Sequence, residues 1–284
     1  MLTPVRGREL PVVVFAHGVG ASLEGYGPLA EYWAARGFVV VRPTHLDAKS
    51  VVPAADDPRR PGVWRYRVED VRRVLDQLDQ LDGLVGQAPG LAGRVDQGRI
   101  AVAGHSFGGQ TAGVLLGLRV LDPETGRAED LAGPRVRAGV LLATAGRGGD
   151  ALTPLAAENP PWLRGPEVAH MKAPAPVVAG DRDASQLTVR GPEWMADPYV
   201  LSPGGGERES VHPLRGGALP RGGIPGYEVA ETTDENPARV ALVREVTLAY
   251  LRHVLGVGGA EWEVVRRTLA AGPHPLGRLV SKAG

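Results

Sequence analysis

The stretch VAGHSFGGQT, residues 102–111, sets Gly104, Ser106 and Gly108 in the spacing G-x-S-x-G. The apolar run RIAVA (99–103) precedes it, and the helix-like run GGQTAGVLLGLRVL (108–121) follows. A serine between a strand and a helix sits on a turn so tight that its hydroxyl is thrust outward at the strand's end. A Cβ on either flanking residue would meet neighbouring backbone, which is why both flanks are glycine. The start of the next helix offers N–H groups and a positive dipole end to an anion forming there. In a chain with 40 glycines the bare spacing also arises by chance. The strand before and the helix after argue against chance here.

Working outward, apolar runs of two kinds alternate. PVVVFA (11–16), FVVVRP (38–43), AGVLLATA (138–145) and APVVAG (175–180) are short, β-branched and bounded by turn residues, as parallel strands buried on both faces should be. Between them, YGPLAEYWAARG (26–37) puts Leu29, Ala30, Tyr32 and Trp33 on one helical face before Gly37 stops it. RVEDVRRVLDQLDQLDGL (67–84) spaces Val68, Val71, Leu75, Leu78 and Leu81 at three and four, with a charged outer face. PARVALVREVTLAYLRHVLG (237–256) reads as a long helix with Asn236 as cap and Pro237 in its first turn. Strands alternating with helices predict an α/β fold: a mostly parallel sheet with helices on both faces. No repeat or long linker divides the chain, so a single domain over 1–284 is expected, with long loops or lids at 43–65 and 144–174 and an irregular segment at 203–223.

The 32 basic and 32 acidic residues cancel, which favours neither nucleic acid nor an anionic membrane as partner. The arginines are scattered, as on a solvated surface. With no cysteine, disulfides, thiolate nucleophiles and Cys-based zinc sites are excluded. No apolar stretch approaches the ~18 residues of a membrane span. MLTPVRGREL at the start has no apolar signal-peptide core, so the expected location is the cytoplasm.

A second motif lies at the end of the first strand, VVVFAHGVGAS (12–22). A loop after His17-Gly18 can bring a backbone N–H to the same forming oxyanion; the expected donors are the N–H groups of Val19 and Phe107. His17 itself reads as a residue that fixes the loop. A dinucleotide-binding G-x-G-x-x-G fails, because Leu23 stands where the third glycine is needed.

On FAHGVGAS (15–22), WAARGFVVVRPTH (33–45), VAGHSFGGQT (102–111), PVVAGDRD (176–183) and GGIPGYEVAETTDENPARVALV (222–243), the chain resembles the α/β-hydrolase superfamily. More narrowly, it is similar to the bacterial esterase-like branch near chlorophyllases, platelet-activating-factor acetylhydrolases and polyester hydrolases. The likeness runs from about residue 11 to 255 and implies a serine hydrolase of small or polymeric carboxylic esters, with a Ser–acid–His triad in that order and no cofactor or metal. Ser106 is then the nucleophile. The acid is Asp183, three residues after Gly180, with Asp181 as runner-up.

Two departures stand against the resemblance. The branch has one or two strands before the His-Gly strand, so leading edge strands are expected to be missing here. It also places the base in a loop reading roughly Gly-x-x-His-Ser-Leu-Gly-Gly-Ile; Gly222, Gly223 and Ile224 match, but Leu219 stands in the histidine's place. His212, in ESVHPLRGGALPRGGI (209–224), is the only histidine between Asp183 and the last long helix. It is the expected base, carried on a glycine-rich loop; His45, His105, His253 and His274 are worse placed. The rival expectation is a catalytically impaired or dead protein of this fold that binds a ligand or partner. Trp64, Trp162, Trp194, Phe107 and Tyr26 are candidates for an apolar acyl pocket.

Overall fold

A computed structural model describes residues 1–51, 53–54, 56–78, 90–91, 93–122, 125–158, 163–181, 185–203, 209–213, 236–270 and 276–282, with 209–213 described by their backbone. The strands are β1 (Leu10–Ala16), β2 (Val39–Val41), β3 (Val95–His105), β4 (Val120–Leu121), β5 (Ala128–Glu129), β6 (Val136–Leu142), β7 (Pro176–Val178), β8 (Glu209–Pro213) and β9 (Gly277–Ser281). The α-helices are α1 (Gly27–Ala34), α2 (Val63–Gln77), α3 (Phe107–Leu115), α4 (Pro154–Glu158), α5 (Asp197–Val200), α6 (Pro237–Val254) and α7 (Glu261–Ala270).

Seven strands form one sheet in the order β2-β1-β3-β6-β7-β8-β9, and β4 pairs with β5 in a separate ribbon. The large sheet is parallel except for β9, which runs antiparallel to β8. Every residue of β1 is buried, because the sheet is covered on both sides. Successive side chains point to opposite faces. Val12 and Val14 therefore join Ile100, Val102 and the apolar stripes of α2 and α3 in one core. Val13 and Phe15 join Ala101, Ala103, Trp33 of α1, Tyr250 of α6 and Trp262 of α7 in the other.

Among the described residues no strand precedes β1 in the chain. Instead Leu2 makes one antiparallel bridge to Val40, exchanging N–H to O bonds of 2.9 Å each way on the outer edge of β2. The helix read over 108–121 is shorter than its apolar run: α3 ends at Leu115. Gly117 takes φ +106, and the N–H groups of Gly117 and Leu118 return to the carbonyls of Val114 and Gly113 at 3.0 and 2.9 Å. That is a Schellman closure built on the glycine, and it frees Val120 and Leu121 for β4. The cap on α6 falls where the sequence puts it: the Asn236 side chain accepts from the N–H groups of Ala238 and Arg239 at 2.9 and 3.3 Å.

The segment 203–223 is not irregular throughout. Residues 209–213 form β8, paired with Pro176–Val178 on one side and Gly277–Ser281 on the other. ESVHP lacks the alternation of a strand, but neighbours on both edges supply its ladder; tertiary pairing overrides weak β-propensity. No described helix is long and apolar enough to cross a membrane.

Candidate active site

Ser106 stands at the junction of β3 and α3 with φ 53 and ψ −118. A non-glycine residue in that region is strained by about 1–3 kcal/mol and is held there by its surroundings. Between residues 101 and 110 it is the one residue that is not buried. Its N–H donates to the Leu142 carbonyl at 2.9 Å, stitching the turn to β6. Ala143, next along β6, is also at positive φ (43), so two strained non-glycine residues lie at adjoining strand ends.

The glycines of G-x-S-x-G are steric necessities. A Cβ on Gly104 would lie 2.1 Å from the Gly108 carbonyl oxygen, and one on Gly108 would lie 2.0 Å from that of Ala16 and 2.6 Å from that of His17. The first turn of α3 thus packs directly on the end of β1, which brings the Ser106 turn beside the loop of His17 and Gly18. Gly108→Ala is expected to destabilise the protein by more than about 3 kcal/mol in denaturant unfolding, because backbone must move. Gly113→Ala, in the same helix, would meet the Leu118 side chain at ordinary contact distances of 3.4 and 3.8 Å and is expected to be neutral or stabilising by up to about 1 kcal/mol.

The loop after β1 is tied from two sides. On one, the Gly18 N–H donates to the Tyr26 hydroxyl at 3.0 Å, and that hydroxyl lies 2.7 Å from His105 Nδ1. The hydroxyl oxygen thus links the Gly18 N–H to the His105 imidazole. On the other side, His17 Nδ1 lies 2.7 Å from the Gly18 carbonyl and donates to it, while its Nε2 accepts the His45 N–H at 3.3 Å. Arg67 of α2 donates to the carbonyls of His17 at 2.8 Å and Gly18 at 3.3 Å. It holds the Asp47 carboxylate with Nε and Nη2 at 2.8 and 2.9 Å. His45 Nδ1 pairs with Asp70 at 3.0 Å.

Burial keeps these imidazoles neutral. His17 is pushed down to about 4 by burial and then by the Arg67 charge, and His105 to about 4 by burial. His45 falls well below its ordinary value through burial, Arg67 and His17. Burial also lowers Arg67, against which the Asp47 carboxylate works.

The sequence-expected site residues fall as follows. Ser106 and Phe107 lie at the elbow, and Val19, 67% exposed, lies in the adjoining loop. Asp183, Leu219, Trp162 and His274 lie outside the described residues. Asp181 is exposed. His212 is not on a loop: it pairs with Arg278 in the β8–β9 ladder. The pairings His105–Leu142, Leu142–Val178 and Val178–Val211 place His212 one residue beyond the row that His105 ends. Ser106 stands at the same height three strands away, about 14 Å at ~4.8 Å per strand.

Of the aromatic candidates, Tyr26, Trp64, Phe107 and Trp194 are buried. Tyr26 is an internal anchor of the loop, and Trp64 and Trp194 fill hydrophobic clusters. His253 packs 6.5 Å from Trp262 between α6 and α7. Sequence reading missed Arg67 and Asp47. The available signal was an arginine on the apolar side of α2, immediately before Val68.

A family model described as "Alpha/beta hydrolase family" matches residues 13–276. The platelet-activating factor acetylhydrolase of Cavia porcellus is 26% identical over a stretch taking in 37% of this chain and 31% of that protein. The chain thus matches under a third of that relative's length. The solved structure of a ferulic acid esterase from Streptomyces cinnamoneus aligns with a TM-score of 0.52 at 22% identity, over 88% of this chain and 68% of that one, which is a likeness of fold.

Proposed function

Because the chain belongs to the α/β hydrolase family, we propose that it is a serine hydrolase that cleaves carboxylic esters through an acyl-enzyme. The observation that carries this reading is Ser106, held at φ 53 and only partly buried where β3 meets α3. In the proposed reaction the Ser106 hydroxyl oxygen attacks the ester carbonyl, and its proton passes to a histidine. The tetrahedral oxyanion accepts hydrogen bonds from the N–H groups of Val19 and Phe107. The same histidine returns the proton to the departing alcohol, and water then releases the acyl group by the reverse sequence. Asp183 and His212 are the proposed acid and base, Asp183 orienting the imidazole and stabilising its charged form. A relative named for acetylhydrolase activity and a fold neighbour named as an esterase support an ester as substrate.

Purified protein is expected to hydrolyse short p-nitrophenyl esters, with Ser106 labelled by a fluorophosphonate. Absence of both in folded protein overturns the reading.

The register of β8 favours a second reading, a hydrolase fold with an impaired triad. A ladder residue about 14 Å from the nucleophile does not meet it, and Leu219 occupies the position at which the family resemblance puts the histidine. If His212 acts as base, the C-terminal end of β8 must part from its neighbours to deliver it. His212→Ala is then expected to lower kcat by about 1,000-fold or more. An unchanged kcat in that variant assigns the residual rate to the oxyanion site alone and supports the impaired reading.

A further inference from the structure

Arg67 is a charged side chain with 0% exposure. Burying a cation is costly unless its donors are used, and all three nitrogens donate at one place. Asp47 alone would neutralise it through the two bonds of 2.8 and 2.9 Å. The remaining donors go to two successive carbonyls, His17 O at 2.8 Å and Gly18 O at 3.3 Å. The guanidinium carbon also sits 4.3 Å over the ring of Phe107, the residue after the nucleophile. One group therefore touches both segments expected to donate to the oxyanion.

The peptide unit gives this contact its consequence. No described peptide is cis, and in a trans peptide the C=O and N–H point opposite ways. With the Gly18 carbonyl drawn towards His17 Nδ1, Arg67 and the Ala21 N–H, which donates to it at 3.2 Å, the N–H of the same unit, that of Val19, must point away from them. The Nδ1 proton of His17 is committed to Gly18 O, because Nε2 accepts from His45 N–H. The approach of Arg67 Nη2 to that Nδ1 at 3.4 Å sets donor against donor and holds nothing. Arg67 is thus the charged member of three donors that hold the Gly18 carbonyl, and it alone also binds the His17 carbonyl and Asp47.

We propose that Arg67 is a positioning residue for the oxyanion site: it fixes the Gly18–Val19 peptide so that the Val19 N–H faces the attacked carbonyl, and through Phe107 it keeps that loop in register with the Ser106 turn. The proposal rests on the serine hydrolase reading for its chemistry and on the hydrogen bonds above for its geometry.

The test pairs a double variant, Arg67→Met with Asp47→Leu, with Arg67→Lys and a control, Arg65→Met. Removing both partners leaves no lone buried charge. Arg65, also on α2, pairs instead with Glu129 and Asp122. The double variant is expected to lower kcat on a p-nitrophenyl ester by about 100-fold, with KM within about threefold of the parent. Arg67→Lys, which keeps the charge but cannot span Asp47 and two carbonyls, is expected to recover less than about a tenth of the lost rate. Arg65→Met should lower the melting temperature and leave kcat unchanged. A folded double variant with parental kcat, or one in which only KM moves, overturns the proposal. Should the double variant not fold, Arg67→Lys decides alone: parental kcat overturns it. If the parent protein hydrolyses no ester and escapes fluorophosphonate, the hydrolase reading has failed by itself. A crystal structure of the folded variant, or of Arg67→Lys, then tests the geometric claim: a rotated Gly18–Val19 peptide sustains it, and an unmoved one ends it.

Discussion

Ser106→Ala is expected to lower ester hydrolysis by about 10⁵-fold, leaving only the rate that binding and the oxyanion donors supply. The variant should keep its stability. The Ser106 side chain makes no capping bond to α3, and alanine inherits the same strained φ of 53. Ser106→Gly separates the two properties. It should be equally inactive, yet more stable by about 1 kcal/mol, because glycine adopts positive φ without steric cost. Activity assays and denaturant unfolding of the three proteins check both statements. Full activity in Ser106→Ala would remove the proposed nucleophile, and equal stability of all three would remove the strain argument.

Acidification is expected to cost the protein about 5 kcal/mol of stability between pH 7 and 4.5. His17 and His105 each titrate near 6.5 in the unfolded chain and at about 4 in the folded one. Between those values the unfolded state binds more protons, so stability is full above 6.5 and declines as pH falls towards 4. Charging one such imidazole in place costs roughly 3 kcal/mol, and His45, also lowered by burial, adds in the same direction. Asp70 works against the trend: burial raises its carboxyl, so the folded state gains a proton there. Against a total of about 5–15 kcal/mol for a typical domain the loss is large. Urea titrations at stepped pH measure it, and a flat profile from 7 to 4.5 would refute it. Protonating His17 would also put a hydrogen on Nε2, where it now accepts the His45 N–H, and disturb the loop that carries Gly18 and Val19. Activity should therefore decline along with stability.

The sheet and the serine turn were legible because their signals are local. VVVFA and RIAVA are continuous apolar runs, and the glycines of 104–108 report clashes with backbone a few ångströms away. What escaped was long-range. ESVHP forms β8 only because β7 and β9 flank it, and nothing within those five residues announces partners at 176–178 and 277–281. Arg67 stands on the apolar side of α2, but nothing in the helix says what it pairs with until the fold brings Asp47 and two carbonyls to it. Trp64 and Trp194 read as candidates for an acyl pocket, but the chain buries them in hydrophobic clusters.

The antiparallel strand β9 places a condition on how the molecule is made. Its partner β8 lies some seventy residues earlier, between β7 and an edge that residues 277–281 fill. During synthesis the sheet can close from β2 through β7 while the strand bearing His212 still has an open flank. Its unpaired N–H and C=O groups are meanwhile available to any other extended chain. The part of the protein nearest the proposed base is therefore the last to be shielded. A ribosome stalled before residue 277 would hold a nascent chain with its Ser106 turn formed and its sheet unfinished.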